Sequence, residues 1–142
     1  MFRRIDDTIS VSAQITAEEV AEAAAAGFTL IVNNRPDEEE VGQPLGAEIA
    51  AAAAAAGLAY RAIPVTHAGF SGNQIDEMEA ALAAAGGAVL AFCRSGTRST
   101  FLWALTRVRQ GDAPDDIAAK AAGAGYDLAS IRPMLDALGG SR

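Results

Sequence analysis

The chain has 142 residues, a length that suits one domain with a core needing no disulfide or metal staple. Hydrophobic residues make up 51% but aromatics only 6%, so the core is expected to be built of Ala, Val, Leu and Ile. A formal net charge of -7 argues against a general nucleic-acid or membrane-surface binder, which needs a positive footprint, but a small anionic substrate held by a few local arginines remains open.

Ile9 to Ile15 alternates and is rich in β-branched residues, which predicts a short strand. Thr16 then caps a helix, Glu19 completes a capping box, and the helix runs to about Ala26 before Gly27. Phe28 to Val32 reads as a second strand. It ends in the polar turn Asn33-Asn34-Arg35-Pro36-Asp37, and Glu38-Glu39-Glu40 reads as a solvated face. Alanine-rich Pro44 to Ala56 favours a helix that Gly57 ends, and Leu58 to Val65 predicts a third strand. The loop from Thr66 to Gly72 holds the only histidine, His67. Asn73 is expected to cap a third helix running to about Ala85. Ala88 to Phe92 is uniformly apolar, as for a central strand covered on both faces. A helix opens near Ser99, with Trp103 expected to pack against the sheet. Two shorter helices are expected near Pro114 to Ala122 and Asp127 to Leu138, and the tail over 139–142 is expected to be disordered. Four strand-helix repeats predict one α/β domain over 1–142, with a mostly parallel central sheet flanked by helices.

Cys93 is the only cysteine, so an intramolecular disulfide and a cysteine-cluster metal site are impossible. No metal site or cofactor is expected. The N-terminal residues show no apolar stretch of the signal-peptide kind, and a reducing cytoplasm is the expected location.

Chemistry is expected in the loop Cys93-Arg94-Ser95-Gly96-Thr97-Arg98-Ser99, between an apolar strand and a helix. Backbone N–H groups wrapping toward one point form an anion nest, and the helix start adds unpaired N–H groups and the positive dipole end. A sulfur there is expected to be held as the thiolate, with Cys93 as the nucleophile. Arg98 is the better candidate for two-pronged contact with an oxyanion, through its planar fork. Gly96 permits the tight turn. Ser99 or Thr97 is expected to donate a hydrogen bond to Cys93 or to a departing group. Arg94 faces either the pocket mouth or solvent.

This loop, together with Asn33-Asn34-Arg35-Pro36-Asp37 and Ile63-Pro64-Val65, resembles the bacterial family of beta-lactamase hydrolase-like proteins, phosphatase-like domain, also written DUF442. The resemblance implies a fold like the dual-specificity and tyrosine phosphatases, and fusions in some relatives suggest sulfur metabolism and a partner in sulfide oxidation. Two features depart from ordinary cysteine phosphatases. Phe92 stands where those have a histidine, and four residues rather than five separate Cys93 from Arg98. That spacing is similar to the active loop of rhodanese sulfurtransferases.

His67 and Asp37 are the candidate general acids, the first by its ordinary titration range and the second by its place beyond a strand end. Asn33, Asn34 and Arg35 follow a strand carboxyl end, where α/β sheets present ligand sites, and read equally as pocket lining or as a turn. The expected substrate is a small anion, either a phosphate ester or a thiosulfate or persulfide. The leading expectation is a cysteine-dependent phosphatase-like hydrolase working through a covalent thiophosphate. The alternatives are a rhodanese-like sulfurtransferase using a Cys93 persulfide and a non-catalytic anion-binding module.

Overall fold

A computed structural model describes residues 2–140. Its elements, in chain order, are β1 (Arg3–Arg4), β2 (Ile9–Ser12), α1 (Ala17–Ala25), β3 (Leu30–Asn33), α2 (Gly46–Ala55), β4 (Ala59–Ala62), α3 (Gly72–Ala84), β5 (Val89–Phe92), α4 (Thr97–Arg109), α5 (Pro114–Gly123), a 3-10 turn (Ala129–Ile131) and α6 (Arg132–Gly140).

The strands form one sheet in the order β1-β2-β5-β3-β4. β2, β5, β3 and β4 run parallel, and β1 is an antiparallel edge. The chain goes out to β4 and returns through α3 to place β5 between β2 and β3. The strand order therefore switches at β5, where open α/β sheets form a crevice beyond the strand carboxyl ends. Register puts Ser12 and Asn33 on either side of Phe92, so the segments after all three leave the same edge at one level.

Side-chain alternation along β5 explains its uniform apolarity. Val89 and Ala91 join a core with Met78, Leu102, Trp103, Ile117 and Leu135, from α3 to α6. Leu90 and Phe92 join Val20, Ala23, Ile49 and Ala53, from α1 and α2. Both faces of the strand are thus covered, and a polar residue on either would lose its water.

The α/β architecture and the parallel sheet agree with the sequence reading. The Thr16–Glu19 capping box forms as expected. Several details differ. Ser71, not Asn73, caps α3: its hydroxyl accepts from the Gln74 N–H while the Gln74 side chain accepts from the Ser71 N–H, a capping box that starts the helix earlier. β4 stops at Ala62, because Pro64 has no N–H for the ladder, although Ile63 and Val65 still donate to Asn33 and Asn34. The last helix begins with Pro133 in its first turn after a separate 3-10 turn, since proline fits a helix start but not its interior. Gly139 and Gly140 belong to α6 rather than to a tail, and the tail residues Ser141 and Arg142 lie outside the described residues. Among the described residues no helix is long and apolar enough to cross a membrane.

Candidate active site

β5 delivers Cys93 at its carboxyl end, and α4 opens four residues later. The Cys93 N–H donates to Ser12 O at 3.3 Å, and the Gln14 N–H donates to Arg94 O at 3.3 Å, so β2 and its following turn brace one side of the loop. Gly96 caps α4 with φ +91°, a left-handed conformation that favours glycine. Its N–H points back to the Cys93 sulfur, 3.1 Å away. α4 begins at Thr97, slightly before the expected start near Ser99, so its positive dipole end lies against the sulfur. Cys93 is fully buried, but its sulfur meets a backbone donor rather than an apolar wall.

Arg98, on the first turn of α4, donates through Nη1 to Glu39 Oε2 and Val65 O, each at 2.7 Å, and through Nη2 to Glu39 Oε1 at 2.8 Å. A guanidinium has five N–H donors, and these contacts use three. The remaining Nε and Nη2 donors share one edge. Glu39 raises the pKa of Arg98 above its ordinary value by hydrogen bonding, partly opposed by burial, and the Cys93 sulfur adds to the rise by charge and hydrogen bonding. In return, Arg98 above all holds the Glu39 carboxyl down at about 2, opposed by burial and helped by Arg35.

Glu39 corrects the reading of the acidic run as a solvated face. Its backbone is exposed, but its side chain keeps only 19% of its surface and bridges two arginines. The preceding residue, Glu38, has φ +65°, the one positive φ outside glycine among the described residues. That turn brings Glu39 back over the site. Arg35 is buried with each guanidinium nitrogen bonded: Nε to Glu39 at 2.9 Å, Nη1 to Gln14 Oε1 at 3.1 Å and Nη2 to Glu40 at 3.2 Å. It anchors the carboxylates and is not a free anion contact. Arg94 is exposed and pairs with Glu40 at 3.5 Å, on the solvent side of the alternatives left open for it.

Ser99 does not reach the sulfur. Fully buried, it spends its single proton on Asn34 Oδ1 at 2.8 Å, and the Asn34 amide donates to Ile63 O at 2.9 Å. The Asn34 N–H donates to Phe92 O at 2.8 Å. Asn34 thereby ties together the ends of β3 and β5, the strand leading to Val65, and the start of α4. Asn33 accepts from the Arg35 N–H, the turn geometry expected of asparagine, and donates to Tyr60 Oη at 3.0 Å. Both asparagines thus make the bonds of a structural turn and brace. Thr97 Oγ1 accepts from Ser95 Oγ at 3.0 Å, with the pair facing outward.

The two candidate acids part company. Asp37 accepts from the Gly46 N–H at 2.8 Å and so caps α2, whose own cap position, Leu45, has no side-chain acceptor. His67 is exposed in the loop that begins just past Val65, the residue whose carbonyl holds Arg98. Tyr126, which no motif of the sequence singles out, donates to Ser95 O at 3.0 Å and lies against Gly96. Among the described residues no group of three or more His, Cys, Asp or Glu is placed to hold a metal ion.

Comparisons with known proteins bear on the family and the fold. The sequence pattern of the family described as "Beta-lactamase hydrolase-like protein, phosphatase-like domain" matches residues 1–110. The chain belongs to that family. A beta-lactamase hydrolase-like protein of Xylella fastidiosa is 37% identical over 125 residues, covering 87% of this chain and 29% of that protein. One from Agrobacterium fabrum is 35% identical over 108 residues, covering 76% of this chain and 25% of that protein. The chain thus spans less than a third of the length of these relatives. Among solved structures, a candidate phosphatase from Neisseria meningitidis superposes with a TM-score of 0.84 at 32% identity, covering 95% of this chain and 96% of that one. P. aeruginosa TpbA, solved in complex with pTyr, shares the fold with a TM-score of 0.67 at 19% identity over 99% of this chain and 88% of that one. The domain therefore has the α/β fold of the phosphatase-like superfamily.

Proposed function

We propose that this domain hydrolyses phosphate monoesters through Cys93. The supporting observation is the placement of one sulfur at the head of α4, on the Gly96 N–H and within hydrogen-bonding reach of Arg98. In this reading the Cys93 thiolate attacks phosphorus. An S–P bond forms as the P–O bond to the leaving group breaks, and the leaving oxygen takes a proton from His67. Water then attacks the thiophosphate, the S–P bond breaks, phosphate departs and the thiolate returns. Charge on the equatorial oxygens is met by loop N–H groups, the helix end and the Nε/Nη2 edge of Arg98. Glu39 keeps that edge presented by clamping the opposite end. Cys93 is fully covered, so attack requires the side chains over it to part. The TpbA complex makes an aryl phosphate the natural first substrate.

A sulfur-transfer reading is favoured by one observation. Asp37 is committed to α2, so acid assistance rests on a single exposed histidine, and a thiosulfate-like donor, whose leaving group is already stable, needs less of it. Here the thiolate attacks the outer sulfur of thiosulfate, releasing sulfite, and the Cys93 persulfide passes its sulfur to a thiol or cyanide acceptor.

One panel separates the readings. Purified protein is offered an aryl phosphate, and separately thiosulfate, with intact mass taken after each. Phosphate release that Cys93→Ser abolishes is expected. A gain of one sulfur atom, lost in Cys93→Ser, with no phosphate release would replace hydrolysis by sulfur transfer.

A further inference from the structure

One peptide unit links the sulfur to a residue beyond the 110 matched by the family pattern. Ser95 O accepts from the Tyr126 hydroxyl at 3.0 Å, and the Gly96 N–H of the same peptide reaches the Cys93 sulfur at 3.1 Å. A trans peptide points its carbonyl and its N–H to opposite sides. Holding the carbonyl on one side therefore aims the donor at the other. Without a holder this peptide is free to turn over, because it ends on a glycine, which accepts either sign of φ. A proton accepted at the carbonyl also polarises the N–H and strengthens its bond to sulfur.

Tyr126 is built to do this. α5 ends in two reverse bonds, Gly125 N–H to Ala122 O and Tyr126 N–H to Ala121 O, with Gly125 at φ +95°. That motif throws the chain back and sets the direction of Tyr126. Arg3 lies over the ring, 5.7 Å from its centroid, and donates to Ala124 O at 3.2 Å. The hydroxyl sits so close over Gly96 that any Cβ there would overlap it. Burial pushes the phenol above its ordinary range, Arg3 pulls the other way, and the Cys93 charge adds to the rise. The hydroxyl therefore keeps the proton it donates.

We propose that Tyr126 is a positioning residue for the cysteine loop, its hydroxyl holding the Ser95 carbonyl so that the Gly96 N–H stays on the Cys93 sulfur. This rests on the reading of Cys93 as the nucleophile. The test is Tyr126→Phe, which keeps the ring under Arg3 and removes only the hydroxyl of a half-buried residue, so the melting temperature should stay within a few degrees of wild type. Two readouts are taken. The ultraviolet absorbance of the Cys93 thiolate is followed against pH, with Cys93→Ser as the blank, and kcat and KM are measured on an aryl phosphate. The absorbance is expected to develop at higher pH in Tyr126→Phe, and kcat to fall about 10-fold with KM little changed, the size of one good hydrogen bond. A folded Tyr126→Phe whose absorbance curve overlays that of wild type overturns the proposal. If wild type turns over no aryl phosphate, the hydrolase reading fails, while the absorbance comparison still decides the role of Tyr126.

Discussion

The carboxylate of Glu39 meets the guanidinium of Arg98 end-on, Oε2 to Nη1 at 2.7 Å and Oε1 to Nη2 at 2.8 Å. A carboxylate in this position either competes with an incoming oxyanion or orients the arginine for it. The donor count favours orientation: Val65 O takes the other Nη1 proton, and neither it nor Glu39 occupies the Nε/Nη2 edge. Glu39→Gln keeps the size and removes the charge that fixes the fork. It is expected to lower kcat/KM on an aryl phosphate by about 10- to 100-fold and to weaken inhibition by inorganic phosphate. Tighter phosphate inhibition in Glu39→Gln would make Glu39 a competitor instead.

The same pair gives a pH dependence of stability. In the folded chain the Glu39 carboxyl titrates at about 2, below its ordinary 4.5. A depressed acid contributes stability that is fully present above the unfolded value and is lost as pH falls through the folded one. The loss should therefore run from about pH 4.5 down to about pH 2. Because the group touches solvent, its share is discounted to about 1 kcal/mol. Denaturant midpoints across this range should fall more steeply for wild type than for Glu39→Gln. Parallel curves would remove Glu39 from the account.

Much of this was legible in the sequence, and the exceptions have physical causes. The apolar run ending at Phe92, followed by Cys93 and two arginines, marks a strand, a loop and a helix start in twelve consecutive residues, Ala88 to Ser99, because each is a local preference. Which groups meet across the sheet edge is not local. Glu39 and Arg98 stand 59 positions apart, and their contact depends on β5 being inserted between β2 and β3. Opposite charge between the Glu38 to Glu40 run and the two loop arginines was the available signal. The partner of Ser99 is non-local for the same reason: its neighbours in sequence suggest the sulfur, but the fold offers it Asn34, 65 positions away. Tyr126 carried a local signal in the Gly125-Tyr126 pair after an alanine-rich helix, which predicts the end of that helix but not what the hydroxyl reaches.

Ser99 separates stability from chemistry. Its removal leaves Asn34 Oδ1 buried without a donor, which costs about 1–3 kcal/mol. Its proton does not serve the sulfur, so kcat of Ser99→Ala should stay within about 3-fold of wild type at a temperature where it is folded. Thermal melts and steady-state kinetics on the same preparation test both halves. A large fall in kcat with an unchanged melt would return Ser99 to the sulfur.

His67 is tested by its leaving groups. An activated phenol departs as the anion without help, whereas an alkyl alcohol needs a proton in the transition state. Replacing His67 by Ala should therefore slow alkyl phosphates by about 100-fold and aryl phosphates with acidic phenols only slightly, steepening the dependence of rate on leaving-group basicity. Asp37→Asn keeps an oxygen for the Gly46 N–H, and its dependence should overlay that of wild type. Should the steepening appear in Asp37→Asn and not in His67→Ala, the acid is Asp37, released from α2 when substrate binds.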